Sequence, residues 1–219
     1  MVHELASKIL SRLGSLKTQR QTWESHWQEV ADYVVPRKAD VTKVRSGGDK
    51  RSELVFDGTA IHAAELLSAS LHGMLTSAAT SWFSLRYRDE ELNSDDEAME
   101  WLQSVEDVMY KAFNRSNFQE QIHELYHDLI TFGTGVMFID KDDEQQLRFS
   151  TRHIKECYLS EDDKGRVDTI YREFKMPLRA AQKRFGEENF SSKIIQKAQG
   201  NPYAQITLVH AVFERDERD

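Results

Sequence analysis

The run Asn114–Asp140, NRSNFQEQIHELYHDLITFGTGVMFID, constrains the fold more than any other stretch, because three structural signals follow one another in it without a gap. Ser116 is an N-cap residue type with Gln119 three positions on, the spacing of a capping box. Phe118, Ile122, Leu125, Tyr126, Leu129 and Ile130 then recur at i, i+4, i+7, i+8, i+11 and i+12, which predicts a helix with one buried face. Gly133 falls where a helix end commonly needs positive φ, and Gly135 loosens the backbone before Val136, Met137, Phe138 and Ile139, which read as a core strand. The expected unit is helix, glycine turn and strand.

Within that helix, His123-Glu124-Leu125-Tyr126-His127 satisfies H-E-x-x-H, in which two histidines one turn apart hold zinc and the glutamate activates a water. A zinc metalloprotease is therefore one functional reading. At about 100° per residue the apolar stripe centres on Leu125, Leu129 and Ile122, placing His123 at its edge and His127 further towards solvent. A zincin helix turns both inward. The longer metzincin pattern is also broken, with Ile130 at its glycine and Gly133 at its third histidine. Glu144, Glu156 and Glu173 are conceivable third ligands, but none lies on a second helix with polar support. On these grounds His123 and His127 are rejected as metal ligands and no cofactor is expected.

The 219 residues are enough for one large or two small domains with a real core. Hydrophobic residues make up 39% against 30% charged, a thin supply that favours an elongated shape or a subunit completing its burial against neighbours. A net charge of -8 argues against a dedicated nucleic-acid clamp, which needs a basic surface. The single cysteine, Cys157, excludes an intrachain disulfide and a Cys-rich metal site. No apolar run is long enough to span a membrane, and His3, Glu4 and Lys8 interrupt any signal-peptide core, so a soluble, intracellular protein with no membrane partner is expected.

In chain order, Val2 to Val35 reads as helix, with a break expected near Gly14 or Thr18, and Pro36 ends it. Trp23 and Trp27, one turn apart, pin it to the body or to a neighbour. Between Pro36 and Ser52, Arg37, Lys38, Lys43, Arg45, Lys50 and Arg51 form a basic island containing Gly47-Gly48. It reads as a mobile loop, either merely solvated or contacting phosphate or a neighbouring subunit; in the second case the chain would be a nucleic-acid-binding module. Asp57 or Thr59 caps a helix from Ala60 to about Ser77, rich in small residues that let another helix approach. A strand from Trp82 to Tyr87 and an acidic helix start at Asp95 and Asp96 follow. Two hairpins, Val136–Asp140 with Leu147–Arg152 and Cys157–Ser160 with Val167–Lys175, precede two short helices and a last strand from Ile206 to Phe213. Helices come first and mostly antiparallel sheet later: an α+β fold, divided into a helical part, 1–135, and a β-rich part, 136–219. Outside H-E-x-x-H there is no G-x-S-x-G, C-x-x-C or ligand-spaced histidine pair, so no enzyme is expected.

Three ordered blocks resemble the portal, or head-to-tail connector, family of short-tailed bacteriophages. Phe56-Asp57-Gly58-Thr59-Ala60 looks like the family's F-D-x-T-A helix start. Leu75-Thr76-Ser77 through Trp82-Phe83-Ser84-Leu85 looks like its L-T-S…W-F-x-L turn and strand. Phe113-Asn114-Arg115-Ser116-Asn117-Phe118, then His123-Glu124-Leu125-Tyr126, then Phe132-Gly133-Thr134-Gly135, looks like F-N-x-S-N-F…H-E-x-Y…F-G-T-G. The resemblance covers essentially the whole chain. It implies structural-motif roles for Asp57, Thr59, Trp82, Phe83, Asn114, Ser116, Asn117, Phe118, Gly133 and Gly135, and accounts for His123-Glu124 without zinc.

The family resemblance further implies a ring, commonly of twelve subunits, at one capsid vertex, acting as the conduit for DNA packaging and ejection and as the head-tail joint. Its expected partners are further copies of itself, the terminase packaging motor, capsid, scaffolding and tail adaptor proteins, and double-stranded DNA passing without sequence specificity. Its expected place is the virion's portal vertex, and the host cytoplasm during assembly. Portal chains are considerably longer, so this sequence is expected to correspond to the amino-terminal wing, with stem and clip lying beyond it. An acidic surface suits such a channel, since each phosphate–lysine contact would add friction to sliding DNA.

Overall fold

A computed structural model describes residues 2–214 of the chain. The elements in order are α1 (Val2–Val34), α2 (Thr59–Leu75), α3 (Asp96–Arg115), α4 (Phe118–Phe132), β1 (Val136–Asp142), β2 (Gln146–Arg152), β3 (Cys157–Glu161), β4 (Val167–Pro177), α5 (Leu178–Phe185), α6 (Ser192–Gly200) and β5 (Gln205–Val212), with short 3-10 turns between some of them. The fold is α+β, long helices first and antiparallel strands after. Contacts divide the chain into two compact units, Met1–Gln21 with Lys155–Asp219 and, separately, Thr22–Ile154. This division crosses the helical-to-β division at 135/136: β1 and β2 belong with α2, α3 and α4, while the start of α1 belongs with β3 to β5. Residues 215–219 of the β-rich part lie outside the described residues.

In the first unit, β3, β4 and β5 form an antiparallel sheet in that order. Leu13 and Leu16 of α1 are buried with Tyr158 and Tyr171 of the sheet, and Ile9, Val209, Ala211 and Phe213 pack around them. Arg20 lies over the Tyr158 ring at 3.7 Å and donates to the Cys157 carbonyl at 2.5 Å and the Lys155 carbonyl at 2.9 Å. The break expected near Gly14 or Thr18 is absent, and α1 runs without interruption. A lone glycine costs a helix only about 1 kcal/mol relative to alanine, the leucines on either side of Gly14 are held in the core, and the Thr18 hydroxyl donates back to the Gly14 carbonyl at 3.2 Å.

In the second unit, one core joins Trp27, Ala31, Val35 and Ala39 to Phe132 and Ile154. Another joins Phe118, Ile122, Tyr126 and Phe149, with Leu71, Trp82, Phe113 and Met137 around them. The β1–β2 hairpin pairs from Val136 with Arg152 to Asp142 with Gln146. The expected strand Trp82–Tyr87 is not formed, and the run pairs with no strand. Side chains of α3 take its amides instead: Phe83 N–H donates to the Tyr110 hydroxyl at 2.8 Å and Leu85 N–H to Glu106 at 3.0 Å.

The stripe expected on α4 is also corrected. Leu129 is 42% exposed, whereas His127 and Asp128 are each 1% exposed. The helix packs against α2 as well as against α3 and the β1–β2 hairpin, so its buried arc is wider than one stripe and is turned away from Leu129. The capping box does not form either: Ser116 closes α3, and Asn117 takes the N-cap position of α4 without a side-chain cap bond. Among the described residues no helix is long and apolar enough to cross a membrane.

Candidate functional site

The basic island is built onto α1 by one buried amide. Gln28 donates to Asp32 at 3.0 Å and to the Ala39 carbonyl at 2.8 Å, while its own oxygen accepts the Thr42 amide at 2.9 Å and the Lys43 amide at 3.2 Å. Polar groups this deeply buried are retained because each has a partner. The backbone from Ala39 to Lys43 is thereby wrapped around the end of α1, and the cations follow it inward. Lys43 pairs with Asp32 at 2.5 Å, Arg45 with Asp32 at 3.5 Å and with Asp40 at 3.2 Å, and Arg51 with Asp40 at 2.7 Å. Arg37 reaches Glu124 at 2.9 Å. Lys38, 12% exposed in its side chain, reaches Glu124 at 2.5 Å and also bonds the buried Asp128. Of the six cations only Lys50 has no such pair among the described residues. The segment expected to be a mobile loop is tied down by these pairs, two of whose carboxylates, Asp32 and Asp128, are buried and need a cation.

This arrangement fixes the electrostatics of the H-E-x-x-H motif. Burial works to raise Glu124, but Lys38 and Arg37 outweigh it and hold the carboxyl below its ordinary range. Burial lowers His127, against the raising effect of Glu65. His127 Nε2 lies 3.4 Å from Glu65 and His123 Nε2 3.8 Å from it, yet neither ring nitrogen of His127 makes a hydrogen bond. Among the described residues, no three His, Cys, Asp or Glu side chains are gathered as a metal ion requires. Burial pushes Asp128 up to about 6. Sequence reasoning missed Asp128 and Gln28. The signal for Asp128 was its spacing: it lies one turn beyond Glu124, so the two carboxylates share a face able to receive one lysine.

The motif residues meet at a second junction. The Trp82 ring stacks on Phe118 at 5.5 Å and meets Phe113 edge-on at 5.6 Å, while Phe83 stacks on Tyr110 at 4.3 Å. Asn117 treats the Phe149 backbone as a strand would, donating to its carbonyl and accepting its amide, both at 2.9 Å. Ser116 Oγ donates to the Phe113 carbonyl at 2.7 Å and accepts the Phe118 amide at 3.2 Å. Asp57 accepts the Thr59 amide at 2.7 Å at the start of α2, a bond that lowers its pKa. Gly133 has φ +72°, and a Cβ at Gly135 would lie 2.6 Å from Leu125 Cδ1. Asn114 is exposed and Asp57 and Thr59 stand apart from the aromatic junction, so not all the singled-out residues are brought together.

The fold and these junctions define an α+β protein whose motif residues lock its own helices to each other and to a hairpin. Residues 6–219 match the family model described as Bacteriophage head to tail connecting protein. The chain is 32% identical over 213 residues to a probable portal protein of Bordetella phage BPP-1, covering 96% of this chain and 38% of that protein. It is 30% identical over 214 residues to a portal protein of Salmonella phage epsilon15, covering 97% and 38%. This chain therefore belongs to the bacteriophage head-to-tail connecting family, a family of structural proteins. It spans about 38% of the length of the curated relatives it matches.

Proposed function

We propose that this chain serves as the wing portion of a portal subunit, a structural part of a ring that conducts DNA into and out of the capsid and joins head to tail. The observation that carries this reading is the family match along residues 6–219. It is supported by the placing of the matched blocks: Trp82, Phe113, Asn117 and Phe118 bind α3, α4 and β2 into one body, as a load-transmitting subunit requires. The proposed ring has twelve copies, works without chemistry of its own, and occupies the portal vertex of the virion after assembly in the host cytoplasm. Its partners are the terminase motor, capsid, scaffolding and tail adaptor proteins, and duplex DNA passing without sequence specificity.

The internal pairing of Arg37, Lys38, Lys43, Arg45 and Arg51 favours this reading over a nucleic-acid-binding module, since cations held by carboxylates release few counterions on meeting phosphate. Within the portal reading, Arg37, Lys43 and Lys50, the exposed members of the island, remain its candidates for subunit or phosphate contact. The test is immunogold electron microscopy of phage particles carrying an epitope-tagged copy. Label confined to one vertex supports the proposal; label over the whole shell, or only on unassembled material, overturns it.

A further inference from the structure

Helices α5 and α6, in the same unit as β3 to β5, together carry five cations, Arg179, Lys183, Arg184, Lys193 and Lys197, and no acidic residue, in a chain whose net charge is -8. Each helix buries its small and apolar side, with Leu178 and Ala181 of α5 and Ala198 of α6 buried. Arg179 and Lys183 are four residues apart on α5, as Lys193 and Lys197 are on α6, so each pair follows one side of its helix at a rise of about 6 Å. All four are exposed, and among the described residues none of the four makes an ion pair. Glu187 and Glu188, in the turn between the helices, pair with none of them. The island after α1 is the reverse case, its cations held by carboxylates. Like charges at i and i+4 cost a helix stability, so neither pair is explained by the folding of its own helix. The Leu178 amide donates to the Ala204 carbonyl at 2.9 Å and the Arg179 amide to the Pro202 carbonyl at 3.0 Å, which ties the start of α5 to the chain just after α6. Arg179 thus lies beside the Pro202-Tyr203 step, and Tyr203 is exposed.

We propose that the outer surface of α5 and α6 is where this chain meets the phosphate backbone of duplex DNA, without reading its sequence. The inference names a surface for the duplex of the reading above and rests on that reading. Three observations select the occupant. A protein partner calls for an apolar centre and disfavours lysine, whereas the one large apolar residue exposed on either helix is Phe185, at the end of α5, with the Arg184 guanidinium 5.8 Å from its ring centroid. An anionic lipid surface calls for a helix with its apolar side free to insert, and both helices have that side buried in their own unit. A phosphate backbone is held by arginine, lysine, glutamine and tyrosine side chains, which are the groups exposed here in Arg179, Lys183, Lys193, Gln196, Lys197 and Tyr203. Cations without carboxylate partners are also those whose contact with phosphate releases counterions, giving a weak hold that yields to salt.

The test is fluorescence anisotropy of a short fluorescein-labelled duplex titrated with the 219-residue chain at several salt concentrations. Two variants of equal net charge are compared with wild type. The first combines Arg179→Gln, Lys183→Gln, Lys193→Gln and Lys197→Gln; the second combines Arg86→Gln, Arg88→Gln, Lys111→Gln and Arg115→Gln, at positions equally exposed. Losing two like-charge pairs should leave the first variant melting no lower than wild type, and its α5 and α6 halves, made separately, carry the comparison if it melts lower. The expected result is duplex binding by wild type that weakens as salt rises. The first variant should lose at least roughly tenfold in affinity, with the slope of log affinity against log salt shallower by about 3, while the second binds as wild type does. Equal losses in the two variants would overturn the assignment, as a response to overall charge. A wild type that fails to bind the duplex even at low salt would also overturn it, and immunogold label at a single vertex would leave the ring reading standing. Displacement of the duplex by polyglutamate as readily as by unlabelled duplex would overturn it in favour of an acidic protein partner.

Discussion

Lys38 Nζ lies 2.5 Å from Glu124 Oε1, so the glutamate that a zincin would use to activate water is instead the anchor of the basic segment that follows α1. The same ammonium bonds Asp128 one turn further along α4. Removing Lys38 leaves a carboxylate that is 1% exposed without its cation. Lys38→Met should destabilise the protein by about 3 kcal/mol, as a broken buried pair does, and Lys38→Met with Asp128→Leu should recover most of that loss. Urea unfolding of the single and double variants checks this; a double variant no better than the single one would show that the pair is not the unit of stability here.

Of the two histidines of the motif, His127 is 1% exposed whereas the His123 side chain is 32% exposed. His127 buries two ring nitrogens that make no hydrogen bond, so replacing it by an apolar side chain of similar size removes a penalty. His127→Leu should be neutral or stabilising by up to about 1 kcal/mol, while His127→Ala, which leaves a cavity, should cost about 2 kcal/mol. Purified wild-type protein is expected to hold no stoichiometric zinc by elemental analysis. One zinc per chain, lost in both variants, would return the catalytic reading.

Asp128 gives a pH signature with a definite sign. Its carboxyl is raised from 3.8 to about 6, chiefly by burial and further by Glu124, against Lys38 and Arg37. The folded state binds this proton more tightly, so the contribution is fully present below about 3.8 and is lost as pH rises through about 6. His127 runs the other way: its pKa is lowered, so its contribution is present above 6.5 and is lost as pH falls through the folded value. Glu124 also runs the other way, with its contribution present above 4.5 and lost on further acidification. Comparison with Asp128→Asn isolates the first term. The wild type should gain up to about 3 kcal/mol relative to that variant on going from neutral pH to about pH 4. A difference that stays flat across this window would contradict the burial of the carboxyl.

The glycine turn offers two separable effects. Gly133→Ala meets no steric neighbour but must keep φ near +72°, and should cost about 1 kcal/mol. Gly135→Ala fails for another reason, the approach of Leu125 Cδ1 at 2.6 Å, so it should be relieved by Leu125→Ala whereas Gly133→Ala should not. Melting temperatures of the four proteins distinguish the two.

Asn117 is expected to control the hairpin locally. Asn117→Ala removes both bonds to Phe149 and should cost about 2 kcal/mol. Amide exchange at Phe149 should accelerate with it. Unchanged exchange would mean that the aromatic cluster alone holds β2 in place.

Several local signals in the sequence by themselves determined the structure, although the capping box at Ser116 and the break near Gly14 did not form. The Gly133 turn, the two hairpins, the last strand and the α+β order follow from periodicity and turn chemistry within a few residues, and the matched blocks identified the family. Tertiary packing decided what depends on which neighbours converge. A single-stripe reading of α4 assumes one packing partner, but α4 has several, so His127 and Asp128 are buried and Leu129 is not. The run Trp82–Tyr87 has strand composition, yet Tyr110 and Glu106 take the Phe83 and Leu85 amides and no strand pairs with it. The cations look like a free patch because, Asp40 apart, the carboxylates that pair five of them lie outside the segment, at Asp32, Glu124 and Asp128. Only folding brings those charges within 4 Å, and at that range pairing in a poorly hydrated setting outweighs exposure to solvent.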